Sequence, residues 1–203
     1  MQIDPAKLSH RDGYFLMISA IVPRPIAFVT TVGPNAIVNA APFSYFTGVS
    51  STPPCLLICS GRRRDATSHK DTHRNIVENG EFVVNVVVEE IMDGVVIGGT
   101  DHPPDVSEID LAGLTTAPSV RVKPPRIAAS PVNMECRLRQ VTEAAGTAII
   151  VGEVVWMHVR DDLMVASKVS PGSQVIDAAK LQPIARLGDD DYARLGEIFE
   201  RRR

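Results

Sequence analysis

The sequence has little that would draw the chain to nucleic acid or to a bilayer. Its 203 residues carry 21 Lys and Arg against 24 Asp and Glu, so there is no basic excess for phosphate backbones or anionic lipid. No stretch approaches the roughly 20 uncharged apolar residues of a spanning helix. Residues 1–16 carry charges and no apolar signal core. We therefore expect a soluble protein with neither nucleic-acid nor membrane partners.

Cysteine is also scarce, and its placement excludes a disulfide framework. The three cysteines, Cys55, Cys59 and Cys136, are odd in number and irregular in spacing. Cys55 and Cys59 lie in an apolar run, where a thiolate is costly and cysteine behaves as a small hydrophobe. The sequence thus predicts a reduced, cytoplasmic setting and no thiol catalysis.

Several catalytic and nucleotide-binding motifs are absent. There is no Walker loop, no G-x-G-x-x-G fingerprint and no G-x-S-x-G elbow. His69 and His73 have the i, i+4 spacing of metal ligands, but His69 precedes the predicted helix and no third ligand is evident. The other histidines considered, His102 and His158, are isolated and are interpreted as structural. The lack of an acid–base set is typical of enzymes whose cofactor carries the chemistry.

The chain is rich in residues that interrupt regular structure: it has 15 prolines and 14 glycines, with β-branched runs between them. This pattern predicts many short strands. Strands are predicted at 26–32, 36–41, 55–60, 81–88, 132–142 and 147–159, with a turn at 33–35 and a hairpin connection at 144–146. Helices are predicted at 71–79 (with Asp71 or Thr72 as N-cap), at 89–97 and at 189–200.

The segment 99–125 is rich in proline and lacks periodicity, so we expect a long loop that wraps the domain or lines a cleft. The predicted fold class is mainly β: an antiparallel barrel with a few peripheral helices. One domain is expected over 1–203, with an N-terminal arm at about 1–20 and a C-terminal helix at about 189–203.

One candidate ligand-binding segment combines small residues, hydroxyls and prolines directly after a predicted strand. Small side chains let a ligand approach the backbone, and hydroxyls can donate to a ribityl chain or a phosphate. A proline-rich connection between barrel strands is the alternative. The residues concerned are Asn39, Ala41, Pro42, Phe43, Ser44, Ser50, Ser51 and Thr52.

A second candidate segment places cations before a predicted helix start, as in a phosphate site. Its members are Arg62, Arg64, Lys70 and Thr72, and a solvated charge run is the alternative. A third candidate is Arg186, which stands beside Gly188 with Tyr192 following. This arginine either closes over a ligand or flanks a helix.

These segments together resemble the flavin reductase-like family of FMN-binding split barrels. The resemblance covers about residues 10–195, and it depends on the order and spacing of motifs that are each weak alone. The motifs are PRPIAFVTT at 23–31, NAAPFS at 39–44, SSTPP at 50–54, GRR at 61–63, KDT at 70–72, GEFVVN at 80–85 and LQPIARLG at 181–188.

The resemblance implies a split β-barrel, a homodimer and FMN near the subunit interface. Residues 39–44 would edge the isoalloxazine, largely through backbone groups, and residues 50–52 would lie near the ribityl chain and phosphate. Lys70 and Thr72, helped by Arg62 or Arg64, would hold the phosphate. His69 is a further candidate for that shell, and the stretch around Arg186 would sit near the mouth of the site.

The family also implies an activity: hydride transfer from NADH or NADPH to flavin, with electrons passing on to a monooxygenase partner or to oxygen. No side chain is assigned a catalytic role, because the cofactor carries the chemistry. A non-enzymatic FMN electron carrier of the flavoredoxin type is the alternative. A barrel that has lost flavin and binds another ligand is a third possibility.

Overall fold

Strands dominate the computed structural model, which describes residues 1–63, 68–103 and 105–201. The strands are β1 Arg24–Pro25, β2 Ala27–Val32, β3 Val38–Phe43, β4 Phe46–Ser51, β5 Pro54–Ser60, β6 Glu81–Val86, β7 Thr116–Ala117, β8 Arg126–Ile127, β9 Val132–Ala144, β10 Thr147–Val159, β11 Met164–Ala166, β12 Gln174–Ile176, β13 Ala185–Arg186 and β14 Tyr192–Ala193. The α-helices are α1 His10–Ala20, α2 Asp71–Asn79, α3 Met92–Gly98, α4 Glu108–Leu111 and α5 Ala178–Leu181. Short 3-10 turns lie at Pro5–Lys7, Pro34–Ala36, Glu89–Ile91 and Asp161–Leu163.

Seven strands form one antiparallel sheet in the order β3-β2-β6-β9-β10-β5-β4. The two edge strands, β3 and β4, are consecutive in the chain and are joined only by Ser44 and Tyr45. The Cys59 N–H also donates to the Tyr45 carbonyl at 2.9 Å. Such a short link brings the edges together, so the sheet curls into a barrel. The predicted mainly β barrel is confirmed.

The central strands are buried on both faces, which explains their near-continuous apolar sequences. Inside the barrel, Val29 and Val84 join a core cluster with Phe82. On the outer face, Phe28 packs in a second cluster that includes Val95 of α3. The sheet therefore carries α3 and α4 on its outer surface, beside β3.

Helix α2 has the predicted bounds, and it ends at Gly80, whose φ of 72° supplies the left-handed cap. Its N-cap is Lys70, however, and neither Asp71 nor Thr72. The predicted helix at 89–97 is a 3-10 turn that continues into α3. His69 precedes α2, as expected. Helix ends of this kind commonly shift by one or two positions.

The long hairpin is confirmed and is two residues longer on its first strand than predicted. Its turn is Ala145-Gly146, with φ values of 50° and 81°. Positive φ at both positions is the geometry of the tight turns that match strand twist. The strand predicted at 36–41 begins later, at Val38, because the turn extends through Ala36 as a 3-10 turn.

The predicted C-terminal helix at 189–200 is wrong. The segment contains the short strand β14 and then runs without regular structure to Glu200. Ile198 and Phe199, which would define the apolar face of such a helix, are exposed and meet no core. A helix of this length without tertiary packing is marginal in water.

The N-terminal arm, by contrast, contains α1, which is capped by Ser9 accepting from the Asp12 N–H at 3.1 Å. Only Ile18 of this helix is buried, so the sequence offers a weak amphipathic signal. No helix in the described residues is long and apolar enough to cross a bilayer. All three cysteines are free, and burial raises the pKa of Cys59 and of Cys136.

Candidate functional site

A cleft of about 420 Å³ opens beside β3, between the C-terminal end of α3 and the short strands β13 and β14. Its volume is in the range of small-ligand sites. The lining residues are Tyr14, Ile26, Ala41, Pro42, Ser44, Lys70, Val95, Val96, Gly98, Gly99, Thr100, Arg186, Asp190 and Tyr192.

A smaller recess of about 30 Å³ continues the cleft toward the start of α2. The cleft and the recess share five residues: Ala41, Lys70, Gly98, Gly99 and Thr100. The recess adds Asn39, Arg63, Asp71, Thr72, Asp101, His102 and Glu108. The two spaces form one elongated site with different chemistry at its two ends.

The floor of this site is backbone rather than bulky side chains. Gly98 lies so close to β3 that an added Cβ would sit 2.4 Å from the Ala40 carbonyl oxygen. Gly99 and Ala41 continue this small-residue surface along the cleft. Gly98 thus lets α3 pack closely on β3, and the small residues Ala41 and Gly99 leave space for a flat ring system in the cleft beside them.

The recess ends at the N-terminus of α2, where donors are available. Lys70 is the N-cap residue, and its side chain makes no capping hydrogen bond. Within the described residues, the first backbone N–H groups of α2 therefore have no side-chain acceptor. Asn39 donates to the Thr72 hydroxyl at 3.0 Å, which leaves the Thr72 O–H to donate elsewhere. The Lys70 amino group has no ion-pair partner among the described residues. This arrangement is suited to an anion.

Arginines near the recess divide into two groups. Arg63 and Arg74 both pair with Asp71, so that carboxylate is neutralised where it borders the recess. Arg62 is exposed, pairs through its backbone with His69 and lines neither space. Arg64 lies outside the described residues. Among the described residues, Arg63 is the arginine that lines the recess, whereas the sequence pointed to Arg62 and Arg64.

The opposite end of the cleft is formed by the C-terminal segment. The Arg186 guanidinium lies 4.4 Å from the centroid of the Tyr192 ring and 3.1 Å from the Asp190 carboxylate. Arg186 and Tyr192 are paired across β13 and β14, so these contacts follow from the strand register. Stacking and ion pairing hold the guanidinium flat at the cleft wall.

Glu108 is a site residue that the sequence did not reveal. Its carboxylate is buried and accepts from the Ala40 N–H at 3.0 Å, which fixes β3 where it borders the recess. Burial raises the pKa of Glu108, opposed by the hydrogen bond from Ala40. The expectation that 99–125 lines a cleft holds for several residues, including His102. A single glutamate in an aperiodic segment carries no pattern that would have singled it out.

The structure brings together seven of the predicted site residues in the cleft or the recess: Asn39, Ala41, Pro42, Ser44, Lys70, Thr72 and Arg186. Phe43 instead points into the barrel core and is nearly fully buried. Ser50, Ser51 and Thr52 lie at the exposed far end of β4 and line neither space. Strand alternation places Phe43 on the opposite face of β3 from Pro42, so its ring joins the barrel core.

A flavin nucleotide fits this donor set. Small residues such as Ala41 and Gly99 line part of the cleft, and Lys70, which has no ion-pair partner in the part of the chain that the structure describes, lies with the start of α2 at one end. A planar ring needs the first feature and a phosphate needs the second.

Comparison with known proteins gives the same assignment. The model of the flavin reductase like domain matches residues 18–169. A protein of Halalkalibacterium halodurans is 40% identical, with 98% of this chain and 94% of that protein aligned. The structure of nitrilotriacetate monooxygenase component B from Bacillus cereus matches with a TM-score of 0.88 and 35% identity, covering 98% of each chain.

The structure of the 2-nitrobenzoate 2-nitroreductase NbaA from Pseudomonas fluorescens matches with a TM-score of 0.86 and 30% identity. It covers 100% of this chain and 95% of that one. The match of the domain model over most of the sequence, together with these similarities, identifies the protein class. The chain belongs to the flavin reductase-like family, with the split-barrel fold of that family.

Proposed function

We propose that the protein is an FMN-dependent oxidoreductase that takes hydride from NADH or NADPH and serves as the reductase component of a monooxygenase. The observation that carries this proposal is the single elongated site. At one end lies Lys70, at the start of α2 and without an ion-pair partner among the described residues, and the adjoining cleft is lined in part by small residues. The similarity to a monooxygenase component B supports the choice of partner.

Lys70 and Thr72 would hold the FMN phosphate. The Lys70 ammonium supplies charge, the Thr72 hydroxyl supplies a donor already oriented by Asn39, and the first N–H groups of α2 add the positive end of the helix dipole. Arg63 borders the same recess, with Asp71 balancing its charge. These groups bind and orient without taking part in proton transfer.

The wall formed by Ala41, Pro42 and Gly99 would position the flavin ring. Ser44 is also oriented here, because its Oγ accepts from Arg24 Nε at 3.3 Å and its hydroxyl proton is free to donate into the cleft. When bound, FMN would supply the two-electron acceptor for hydride from the nicotinamide. The protein's contribution is orientation and exclusion of water, which can be worth several kcal/mol.

A homodimer is part of the proposal. Ser50, Ser51 and Thr52 lie on an exposed strand remote from the cleft of their own chain, so they would contact flavin only across a subunit interface. An apolar groove of about 360 Å³ between β1, Phe46 and the C-terminal segment provides surface for such an interface.

A second candidate function is direct reduction of a small organic acceptor by the bound flavin. The similarity to a 2-nitrobenzoate 2-nitroreductase favours it. It uses the same nicotinamide step and differs in the acceptor. A flavoredoxin-type electron carrier, in contrast, needs no nicotinamide step at all.

The test is an anaerobic absorbance measurement on the full chain loaded with FMN, with NADH and then NADPH added. We expect the band of protein-bound flavin to bleach faster than free FMN, with one nucleotide preferred. Added 2-nitrobenzoate then reports whether a small acceptor reoxidises the flavin. If the bound flavin stays oxidised with both nucleotides, the reductase proposal is overturned and the electron-carrier alternative stands.

A further inference from the structure

One cluster of three metal-ligating side chains occurs in the described residues, outside the flavin cleft. It consists of His69, His73 and Glu143, whose ligand atoms all lie within 4.8 Å of one another. His69 lies two residues before α2, His73 is in the first turn of α2, and Glu143 lies at the end of β9 beside the hairpin turn. Neither of the spaces that form the proposed flavin site is lined by these side chains.

The two imidazole rings stack face to face, and each has a nitrogen without a hydrogen-bond partner among the described residues. Their ring centroids are 3.9 Å apart with an interplanar angle of 19°. The Nδ1 atoms of both rings are buried and have no hydrogen-bond partner. Buried polar atoms in native proteins are nearly always paired, so two adjacent orphans need an explanation.

Glu143 lies where its carboxylate could join the two histidines as a third metal ligand, and it does not hydrogen-bond to either of them. Its Oε1 lies 3.9 Å from His69 Nε2, beyond hydrogen-bond distance. Its side chain is largely exposed and free to change rotamer, whereas His73 is fixed in the helix and buried. The carboxylate can therefore close on an ion that the imidazoles hold.

We propose that His69, His73 and Glu143 form a site for a divalent transition-metal ion, with Zn²⁺ as the preferred occupant. Two imidazole nitrogens and one carboxylate oxygen are ligands that zinc takes at about 2.0–2.2 Å. Tetrahedral coordination at such bond lengths separates the ligand atoms by about 3.3 Å. Stacked rings cannot both direct a nitrogen lone pair at one ion, so binding requires the partly exposed His69 ring to turn out of the stack. The exposed Glu143 carboxylate then moves by roughly 1.5 Å to complete the set, and water fills the fourth position.

Imidazole nitrogen is a ligand that suits zinc and the other late divalent transition metals. A calcium or magnesium site would need more oxygen ligands than this cluster has.

An ion at this position would link the start of α2 to the β9–β10 hairpin. The same helix start carries Lys70 and Thr72, so the metal would stiffen the part of the fold that forms the recess. The metal site does not depend on the proposed flavin chemistry, and it is tested without flavin.

The test is a calorimetric titration of the metal-free full chain with zinc chloride. We expect saturable binding at one ion per chain, and a rise in melting temperature with zinc, because a ligand that binds only the folded state stabilises it. Glu143→Gln and His69→Gln should each weaken zinc binding about tenfold or more. Cobalt chloride should give the visible absorption of a tetrahedral site in the wild type and not in the variants.

Matched controls are His10→Gln and Glu78→Gln, which remove an exposed histidine and an exposed glutamate elsewhere. Both should bind zinc as the wild type does. Glu143 is on the surface, so Glu143→Gln keeps the test valid if a histidine variant fails to fold. The proposal is overturned if the wild type shows no stoichiometric binding, or if Glu143→Gln and His69→Gln bind zinc as tightly as the controls. The stacked pair would then be purely structural.

Discussion

The two ends of the cleft are built in different ways. The recess end rests on β3, an edge strand of the seven-stranded sheet, and on α2, which is tied to β3 by a buried hydrogen bond from Asn39 to Thr72. The mouth rests on β13 and β14, two strands of two residues each. The preorganised recess is suited to holding a cofactor. The mouth, with few stabilising contacts, is suited to admitting and releasing a substrate.

Arg24 ties the C-terminal segment to the wall of the cleft. Its side chain is only 4% exposed, and it donates to the Ile21 carbonyl at 2.8 Å and to the Leu187 carbonyl at 2.7 Å. It also reaches Ser44 in the cleft. The buried guanidinium of Arg24 is thus one anchor of the C-terminal segment, in which Arg186 and Tyr192 also contact each other.

The largest effect is expected at the recess, from Lys70→Ala. Losing the charged hydrogen bond to phosphate should weaken FMN binding by about 1.5–3 kcal/mol, or roughly 10- to 150-fold in Kd. Riboflavin, which lacks the phosphate, should bind the wild type and the variant about equally. Fluorescence titration with both flavins measures the two affinities.

The matched control is Lys123→Ala, which removes an exposed lysine that lines neither space. It should leave both affinities unchanged. Equal FMN affinity in Lys70→Ala and the wild type would remove Lys70 from the phosphate site. Equal losses for FMN and riboflavin would show that the substitution disturbs the recess itself and would not support a phosphate contact.

The same contrast explains what the sequence could predict. Six of the seven barrel strands have apolar, β-branched runs bounded by proline or glycine, and their positions were predicted to within a few residues. The seventh, β4 at Phe46–Ser51, is exposed and rich in small polar residues, and it was not predicted as a strand. The C-terminal segment is held by single contacts such as Arg24 with Leu187, which no periodicity records. Its spacing of Leu195, Ile198 and Phe199 imitates a helix face, and the prediction there was wrong.

Site residues follow the same division. Lys70 and Thr72 stand at a helix start, where an anion site is predictable from backbone physics. Glu108 reaches the site from a short helix within an aperiodic segment, and Glu143 meets the histidines only because the β9–β10 hairpin brings them together. Such contacts depend on tertiary structure, so local sequence patterns do not reveal them.

A smaller effect is expected at the mouth, from Arg186→Ala. The guanidinium is partly exposed, and its stacking on Tyr192 is worth about 0.5–1 kcal/mol. We expect KM for the nicotinamide nucleotide to rise about two- to fivefold, with FMN affinity changing less than in Lys70→Ala. Steady-state kinetics of the FMN-loaded protein measure KM, and Arg186→Lys should behave like Arg186→Ala because it also loses the planar stack.

Arg121→Ala is the matched control for the mouth. Arg121 lies over the Trp156 ring at 5.1 Å and lines neither the cleft nor the recess, so its loss should not change KM. A larger loss of FMN affinity in Arg186→Ala than in Lys70→Ala would reverse the assignment of the two ends. The C-terminal segment would then be the principal cofactor-holding element.

The smallest effect concerns the buried carboxylate that supports β3 at the recess. Because burial raises the pKa of Glu108, the folded state holds its proton to higher pH than the unfolded state does. The free energy of unfolding therefore falls as pH rises from the ordinary glutamate pKa to the raised pKa of folded Glu108. Above the folded-state pKa this loss is constant. Glu108→Gln keeps an acceptor for the Ala40 N–H and has no such proton.

We therefore expect the free energy of unfolding of Glu108→Gln, relative to the wild type, to increase with pH across that window and to stay level outside it. Urea unfolding of both proteins at a series of pH values measures the difference. Glu108→Ala separates charge from hydrogen bonding, because it leaves the buried Ala40 N–H unpaired at every pH. Parallel stability curves for Glu108→Gln and the wild type would mean that the carboxylate ionises as readily in the folded protein as in the unfolded chain. The recess would then tolerate a negative charge at Glu108. Its preference for an anion, in contrast to the mouth formed by β13 and β14, would have to be explained by Lys70 and Thr72 alone.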